Sequence, residues 1–342
     1  MTVTEVVTGL PLATIFDALT SIGFWTTVGI LAGVYTLVAL GLQLNVGFTG
    51  IVNFGQAGFM AIGAYSMAIL TVDTGISFYL ALPISILITM AFGLLVGLPA
   101  LRLREDYLAI ATIAMAEVVR LTALNARELT GGNLGFSCSD DGSKCFDETW
   151  LDISGTIEGW LETLGWSNPE SLFPLFLVVW VTAVLLTLAL SAITRTPWGR
   201  VLRAIREDED AARALGKNAF AYKLQSLAIS AAVAAVAGWF LALNIAAVSP
   251  TDFEPLVTFF AYAVLIMGGL ASYWGLIVGS VILWTLLELT RFINNIPVFG
   301  WEISGTQQAS LRFAIVGLVL ILLMAYRPQG AFGKREELVL GD

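Results

Sequence analysis

Polar positions are the exception along this chain. Apolar runs recur from residue 22 to residue 326, divided by short groups of polar or charged residues. An α-helix needs about 20 apolar residues to cross a hydrocarbon layer of about 30 Å. Nine runs reach or approach that length, near 22–42, 51–71, 77–100, 107–125, 172–193, 223–247, 256–271, 276–293 and 308–326. The pattern predicts an all-α integral membrane protein, a polytopic bundle of about nine (eight to ten) transmembrane helices, with residues 1–342 forming one transmembrane domain. The seventh and eighth runs are short. Gly268, Gly269 and Gly275 between them also permit a broken helix or re-entrant element, tolerated only where protein or a water-filled cavity satisfies the backbone.

Composition agrees. Hydrophobic residues make up 57% of the chain and charged residues 13%, with a mean hydropathy of +0.84. A soluble domain carries about 25% charged residues, so much of the solvating charge is missing. Passage of a solute across a bilayer becomes the leading function class, with intramembrane enzyme chemistry as the competitor.

Absences narrow the field. The chain has no histidine, which removes the usual proton shuttle and the commonest metal ligand; no metal site is expected. Gly216-Lys217-Asn218 lacks the upstream glycine and the hydroxyl of a phosphate-binding loop, and neither H-E-x-x-H nor G-x-S-x-G occurs. If ATP drives the protein, another subunit binds it. Met1 to Trp25 holds Glu5 and Asp17 but no Lys or Arg, which reads as a short external tail rather than a cleavable signal peptide.

Positive charge tends to stay on the cytoplasmic side. With the N-terminus outside, inner segments hold Arg102 and Arg104, then Arg195, Arg200, Arg203, Arg206, Arg213, Lys217 and Lys223, then Arg327, Lys334 and Arg335. Those are twelve of the 17 basic residues, while Arg120, Arg127, Lys144 and Arg291 fall outside and Arg312 lies in the last span. The distribution favours N-terminus outside, C-terminus inside.

The segment 126–170 then becomes an extracellular loop, with two basic residues against nine acidic ones. Both cysteines, Cys138 and Cys145, fall there on the oxidising side; a disulfide would stabilise so short a loop by about 2.5 kcal/mol, and two free thiols are the alternative. Ile153, Ile157, Trp160, Leu161 and Leu164 recur at helical spacing, which suggests an amphipathic helix on the outer membrane surface. The net charge of −9, with four Lys against thirteen Arg, suits a salt-rich, halophilic host; one acidic loop skewing the total is the plainer account.

The largest concentration of charge lies at 195–222. Pro197 opens a helix on which Val201, Leu202, Ile205, Ala212 and Leu215 form an apolar stripe, interrupted by the acidic run Glu207 to Asp210 and stopped by Gly216. A solvated basic loop explains the arginines but not the stripe and the stop. An amphipathic helix projecting from a membrane domain suits docking into a partner's groove.

Asp210-Ala211-Ala212 followed by Gly216 resembles the E-A-A-x-x-x-G coupling motif of ABC importer permeases, with Asp in place of Glu and no I-x-L-P downstream. The longer stretch W-G-R-x-L-R-A-I-R-E-D-E-x-A-A-x-A-L-G resembles the same loop in branched-chain amino-acid permeases, the LivH/LivM family, and its LivM branch in particular. Asn45 to Tyr65 resembles that family's early glycine-rich span, with Asn53 for the usual serine and Gln56 for the usual histidine. Thr130-Gly131-Gly132-Asn133-Leu134-Gly135 matches its T-G-G-x-x-G segment, followed here by the cysteine-bearing insertion. Ser249-Pro250 and Gly268 to Gly275 resemble its S-P and G-G-L-G-S-x-W-G elements, with Ala271 in place of a glycine.

The resemblance implies an ABC importer permease. Its partners would be a homologous LivH-like permease, two ATP-binding subunits that bind ATP-Mg, and an external substrate-binding protein, in the plasma membrane of a prokaryote; no cofactor and no nucleic acid are implied for this chain. Coupling to the ATPase would fall on Arg200, Arg203, Arg206, Glu207, Asp208, Asp210, Ala211, Ala212 and Gly216, with the apolar face in the ATPase cleft and the charges setting register.

Candidates for the translocation path are Asn45, Asn53 and Gln56, because amides bind polar solutes without fixed charge, although close packing of small residues also explains that span. Glu117 with Arg120, and Glu288 with Arg291, form E-x-x-R pairs on single helix faces; each is an ion pair or a gating and substrate-carboxylate site. Urea and short-chain amide permeases share the pattern and are the alternative substrates. A stand-alone ion-coupled transporter wants an unpaired midspan carboxylate, and the carboxylates here sit beside arginines.

Overall fold

A computed structural model describes residues 19–137, 148–166, 171–270, 272–290, 305–327 and 330. Each of the nine apolar runs coincides with a helix. They are α1 (Ile22–Leu42), α2 (Gln56–Val72), α3 (Phe78–Ala100), α4 (Glu105–Asn125), α7 (Phe173–Arg195), α10 (Ala219–Ile245), α11 (Pro255–Gly268), α12 (Tyr273–Leu289) and α13 (Gly305–Tyr326). Between them lie the short helices α5 (Arg127–Thr130), α6 (Glu148–Thr163), α8 (Pro197–Glu207) and α9 (Glu209–Ala214).

Length separates these helices. Among the described residues five are long and apolar enough to cross a membrane: Ile22–Thr49, Phe78–Ala100, Asp106–Asn125, Phe173–Arg195 and Ala219–Ile245. Helices α11 and α12 pass together as a sixth and are bent by 117° at their break, while α2 and Phe313–Tyr326 are apolar but shorter. The expected count of about nine spans is therefore not reached by length. At the break Gly269 takes φ +99, a conformation that glycine adopts without strain, and the Ser272 hydroxyl accepts from the Gly275 N–H to restart the chain as α12.

No charged residue occurs from Ala18 to Val72, so α1 and α2 suit the interior of the bundle. Ser21 caps α1 by accepting from Phe24 N at 3.3 Å. The helix widens into a π-helical stretch at Gln43–Thr49 and stops at Gly50, whose φ is +76. Residues 51–55 consequently carry no helix and separate this stretch from α2.

Helices α1 and α10 form the centre: 89% of each crossing window is buried, against 22% for α4 and α7. Glycines let the central helices approach to backbone contact. A Cβ at Gly63 would lie 2.4 Å from Ala235 Cα, and one at Gly238 would lie 2.2 Å from the Met60 carbonyl oxygen.

Two distant motifs meet at one end of the bundle. Strand β1 (Phe136–Ser137) pairs antiparallel with β2 (Ala247–Val248), Phe136 opposite Val248. Gly135 permits this, since a Cβ there would stand 1.9 Å from the Val248 carbonyl oxygen. The T-G-G-x-x-G and S-P segments thus form one cap. Ser249 and Asp252 close it with a reciprocal capping box, Ser249 N donating to Asp252 Oδ2 at 3.1 Å. Burial pushes the Asp252 carboxyl above its ordinary value, partly offset by that hydrogen bond.

The amphipathic helix expected over 153–164 is α6. Trp150 is buried and Ile153, Ile157 and Leu161 are half-buried, while Trp160 and Leu164 are exposed. Cys138 and Cys145 lie outside the described residues.

Candidate functional site

Three places gather the residues singled out above: the loop after α7, a buried polar seam, and the midlength of α4.

The charged loop folds as two helices, not one. Asp208 is extended at φ −154 and ψ 105, which ends α8; its carboxylate accepts from Ala211 N at 2.9 Å and starts α9. The acidic run placed mid-helix by the pattern is therefore a cap, because Asp competes with the helix for backbone N–H groups. Gly199 lets α8 turn tightly out of α7, a Cβ there standing 2.1 Å from the Thr194 carbonyl oxygen. Leu202, Ile205 and Ala212 are buried against Ala219, Tyr222 and the rest of this chain. The apolar face expected to enter a partner's cleft is thus already covered here, and Leu215 alone of the stripe stands out, 80% exposed.

The charges divide between two tasks. Arg203 Nη2 donates to the Thr194 carbonyl at 3.0 Å, near the C-terminus of α7. Its guanidinium lies 5.7 Å from the ring centre of Phe48, which stacks on Tyr273. Arg206 Nη1 donates to the Gly47 carbonyl at the end of the π-helical stretch. Both arginines therefore serve helix C-termini, where carbonyls lack intrahelical partners and the dipole favours cations. Glu209 accepts from Arg213 and from Lys223, each at 2.6 Å, tying α9 to the start of α10. Arg200, Glu207, Asp208, Asp210, Ala211 and Gly216 are exposed, and a Cβ at Gly216 would meet nothing within 4 Å.

The seam runs between α1, α2 and α10. Asn45, Asn53 and Gln56 are all fully buried. Ser226 Oγ donates to Asn45 Oδ1 at 3.0 Å and accepts from Thr49 Oγ1 at 2.8 Å. Ser230 Oγ donates to Gln56 Oε1 at 3.1 Å, and Asn53 Nδ2 reaches the same oxygen at 3.3 Å. Asn53 Oδ1 accepts from Gly55 N at 2.8 Å. The amide nitrogen of Asn45 is buried without a partner. In this conformation the three amides join helices through these bonds, and Asn53 also lines a small cavity with Gly55, Gly58, Phe59 and Thr112. Sequence reasoning missed Ser226 and Ser230; their i, i+4 spacing in an alanine-rich helix is the signal that places them on one face.

On α4 the Glu117–Arg120 pair forms as the spacing suggests. Arg120 Nε donates to Glu117 Oε2 at 2.9 Å and Nη2 to Oε1 at 2.5 Å. Glu288 is buried in the last turn of α12, and Arg291 lies outside the described residues.

The family described as "Branched-chain amino acid transport system / permease component" matches residues 25–324. The high-affinity branched-chain amino acid transport system permease protein LivM of Escherichia coli is 35% identical over 304 residues, covering 87% of this chain and 67% of the relative. Its counterpart in Salmonella typhimurium is 34% identical over the same shares. A probable LivM of Methanocaldococcus jannaschii is 27% identical, covering 87% of this chain and 90% of the relative. No solved structure matches. With the matched region embracing the bundle, the capping motifs and the charged loop together, the chain belongs to the branched-chain amino acid transport permease family as a LivM-like membrane permease.

Proposed function

We propose that this chain is one permease subunit of an ATP-driven importer of branched-chain amino acids, paired with a homologous permease, driven by two ATP-binding subunits and fed by an external binding protein. The observation that carries this is the α8–α9 loop. It presents an exposed polar edge of Arg200, Glu207, Asp208, Asp210, Ala211 and Gly216, while its apolar face and two arginines grip the ends of α1 and α7. Such an element transmits force: a partner acts on the outer edge, and rigid contacts carry displacement into the central helix α1 and the outer helix α7. The relatives' names favour branched-chain amino acids over urea or amides.

The arrangement of ends supports an N-outside, C-inside topology with nine crossings. Phe48, Arg203, Arg206, Tyr273 and the contact of Gly330 with Gly269 share one end. Phe24 with Leu289, and Tyr65 with Phe253, mark the opposite end. The first end carries the basic loop and faces the cytoplasm.

The test joins purification to one variant. The tagged chain is isolated from its native membrane, and the proteins recovered with it are identified by mass spectrometry. A stoichiometric ATPase and a second permease are expected, and recovery of this chain alone overturns the reading. Ala211→Trp, at an exposed helical position of the same edge, is expected to insert normally yet lose the ATPase and ATP-driven uptake; Gly216 is unsuitable because its φ of +77 strains any side chain.

A further inference from the structure

Helix α4 carries the Glu117–Arg120 pair on a span only 22% buried by this chain, with side-chain exposures of 34% and 19%. Glu117 lies eight residues before the end of α4 at Asn125, about 12 Å below it. Charges at that depth belong against protein or water, not lipid. Glu254, exposed at the start of α11, lies near enough to act electrostatically on Arg120 without forming an ion pair with it.

An aromatic shelf lies deeper along the same two helices. Phe54 packs against Phe259 at 5.4 Å and Tyr262 at 4.5 Å between ring centres, and Phe259 is 48% exposed. Phe54 N donates to Thr112 Oγ1 on α4 at 3.0 Å, and Tyr262 donates to the Asn53 carbonyl at 2.9 Å, so the shelf is fixed to both helices. Five residues separate Glu117 from Thr112 on α4, and five separate Glu254 from Phe259 on α11. Each interval is about 7.5 Å of rise along its helix, so the shelf lies about that much deeper than the charges.

Resting on the importer reading, we propose that Glu117, Arg120 and Glu254 form the outer gate of the route and a transient site for zwitterionic amino acids with apolar side chains. Arg120 exchanges its bond to Glu117 for the substrate carboxylate, the freed Glu117 and Glu254 take the ammonium group, and the side chain rests on Phe54 and Phe259. A charge pair that closes on itself satisfies both charges when empty and gives way to a ligand offering both.

The experiment uses the assembled importer in proteoliposomes with its binding protein, reading leucine uptake, ATP hydrolysis and complex yield. Arg120→Gln and the double exchange Glu117→Arg with Arg120→Glu are each expected to lower uptake at least about tenfold while hydrolysis and yield persist. Recovery of uptake by the exchange makes the pair a structural strut and overturns the proposal. Glu254→Gln, outside the span, guards against misfolding in the other variants: a several-fold rise in KM for uptake is expected, and an unchanged KM overturns the gate. Absence of ATP-driven uptake in the unaltered complex instead overturns the importer reading itself, with the gate.

Discussion

The guanidinium of Arg206 donates to the carbonyl of Gly47 across 159 residues of sequence, joining the charged α8–α9 loop to the end of the central helix α1. Its stem lies beside Gly50, where a Cβ would stand 3.3 Å from Arg206 Cγ. The contact has a mechanical consequence. A hydrogen bond from a charged donor contributes about 1.5–3 kcal/mol, a factor of roughly 10–100 in the population of the engaged loop. Arg206→Ala is expected to leave assembly and ATP hydrolysis largely intact and to lower uptake by about tenfold. Uptake and hydrolysis measured on the same vesicles check this; parallel loss of both places Arg206 in folding instead.

Close contact between α2 and α10 rests on missing side chains. Gly238→Val drives a methyl group into the Met60 carbonyl and is expected to destabilise the bundle by about 3 kcal/mol or more. Gly159→Ala, where a Cβ meets nothing within 4 Å, should leave stability level or slightly raised. Thermal unfolding in one detergent separates the two.

Ser226→Ala strands Asn45 Oδ1 and costs about 1–3 kcal/mol. Because Ser226 and Asn45 share one network, the double variant with Asn45→Ala should lose less than the sum of the single losses. Additive losses in the same unfolding assay would show that the seam is not coupled.

Asp252 supplies a pH dependence. Burial raises its carboxyl above the unfolded value, so its contribution to stability is fully present below the unfolded pKa and is lost as pH rises through the folded one. Stability in detergent should therefore decline across that interval in the unaltered chain. Asp252→Asn keeps an acceptor for Ser249 N and should flatten the decline. An identical slope in both proteins excludes Asp252 as its source.

The length of the apolar runs alone located the nine helical segments, because water exclusion acts on each run independently of its neighbours. The basic loop, the break near Gly269 and the Glu117–Arg120 pair were legible for the same reason: each depends on residues close in sequence. Tertiary structure decided the rest. The chain alone does not reveal that Asp208 caps a second helix, that Arg203 and Arg206 turn inward to the carbonyls of Thr194 and Gly47, or that Leu202, Ile205 and Ala212 are already covered. Nor does it show which amides face lipid, solute or serine. Asn45 and Gln56 read from the chain as path-lining candidates; only the fold shows that Ser226 and Ser230, more than 170 residues away, lie within hydrogen-bond distance of them. A polar side chain's role is set by the partner that satisfies it, and in a bundle that partner comes from another helix.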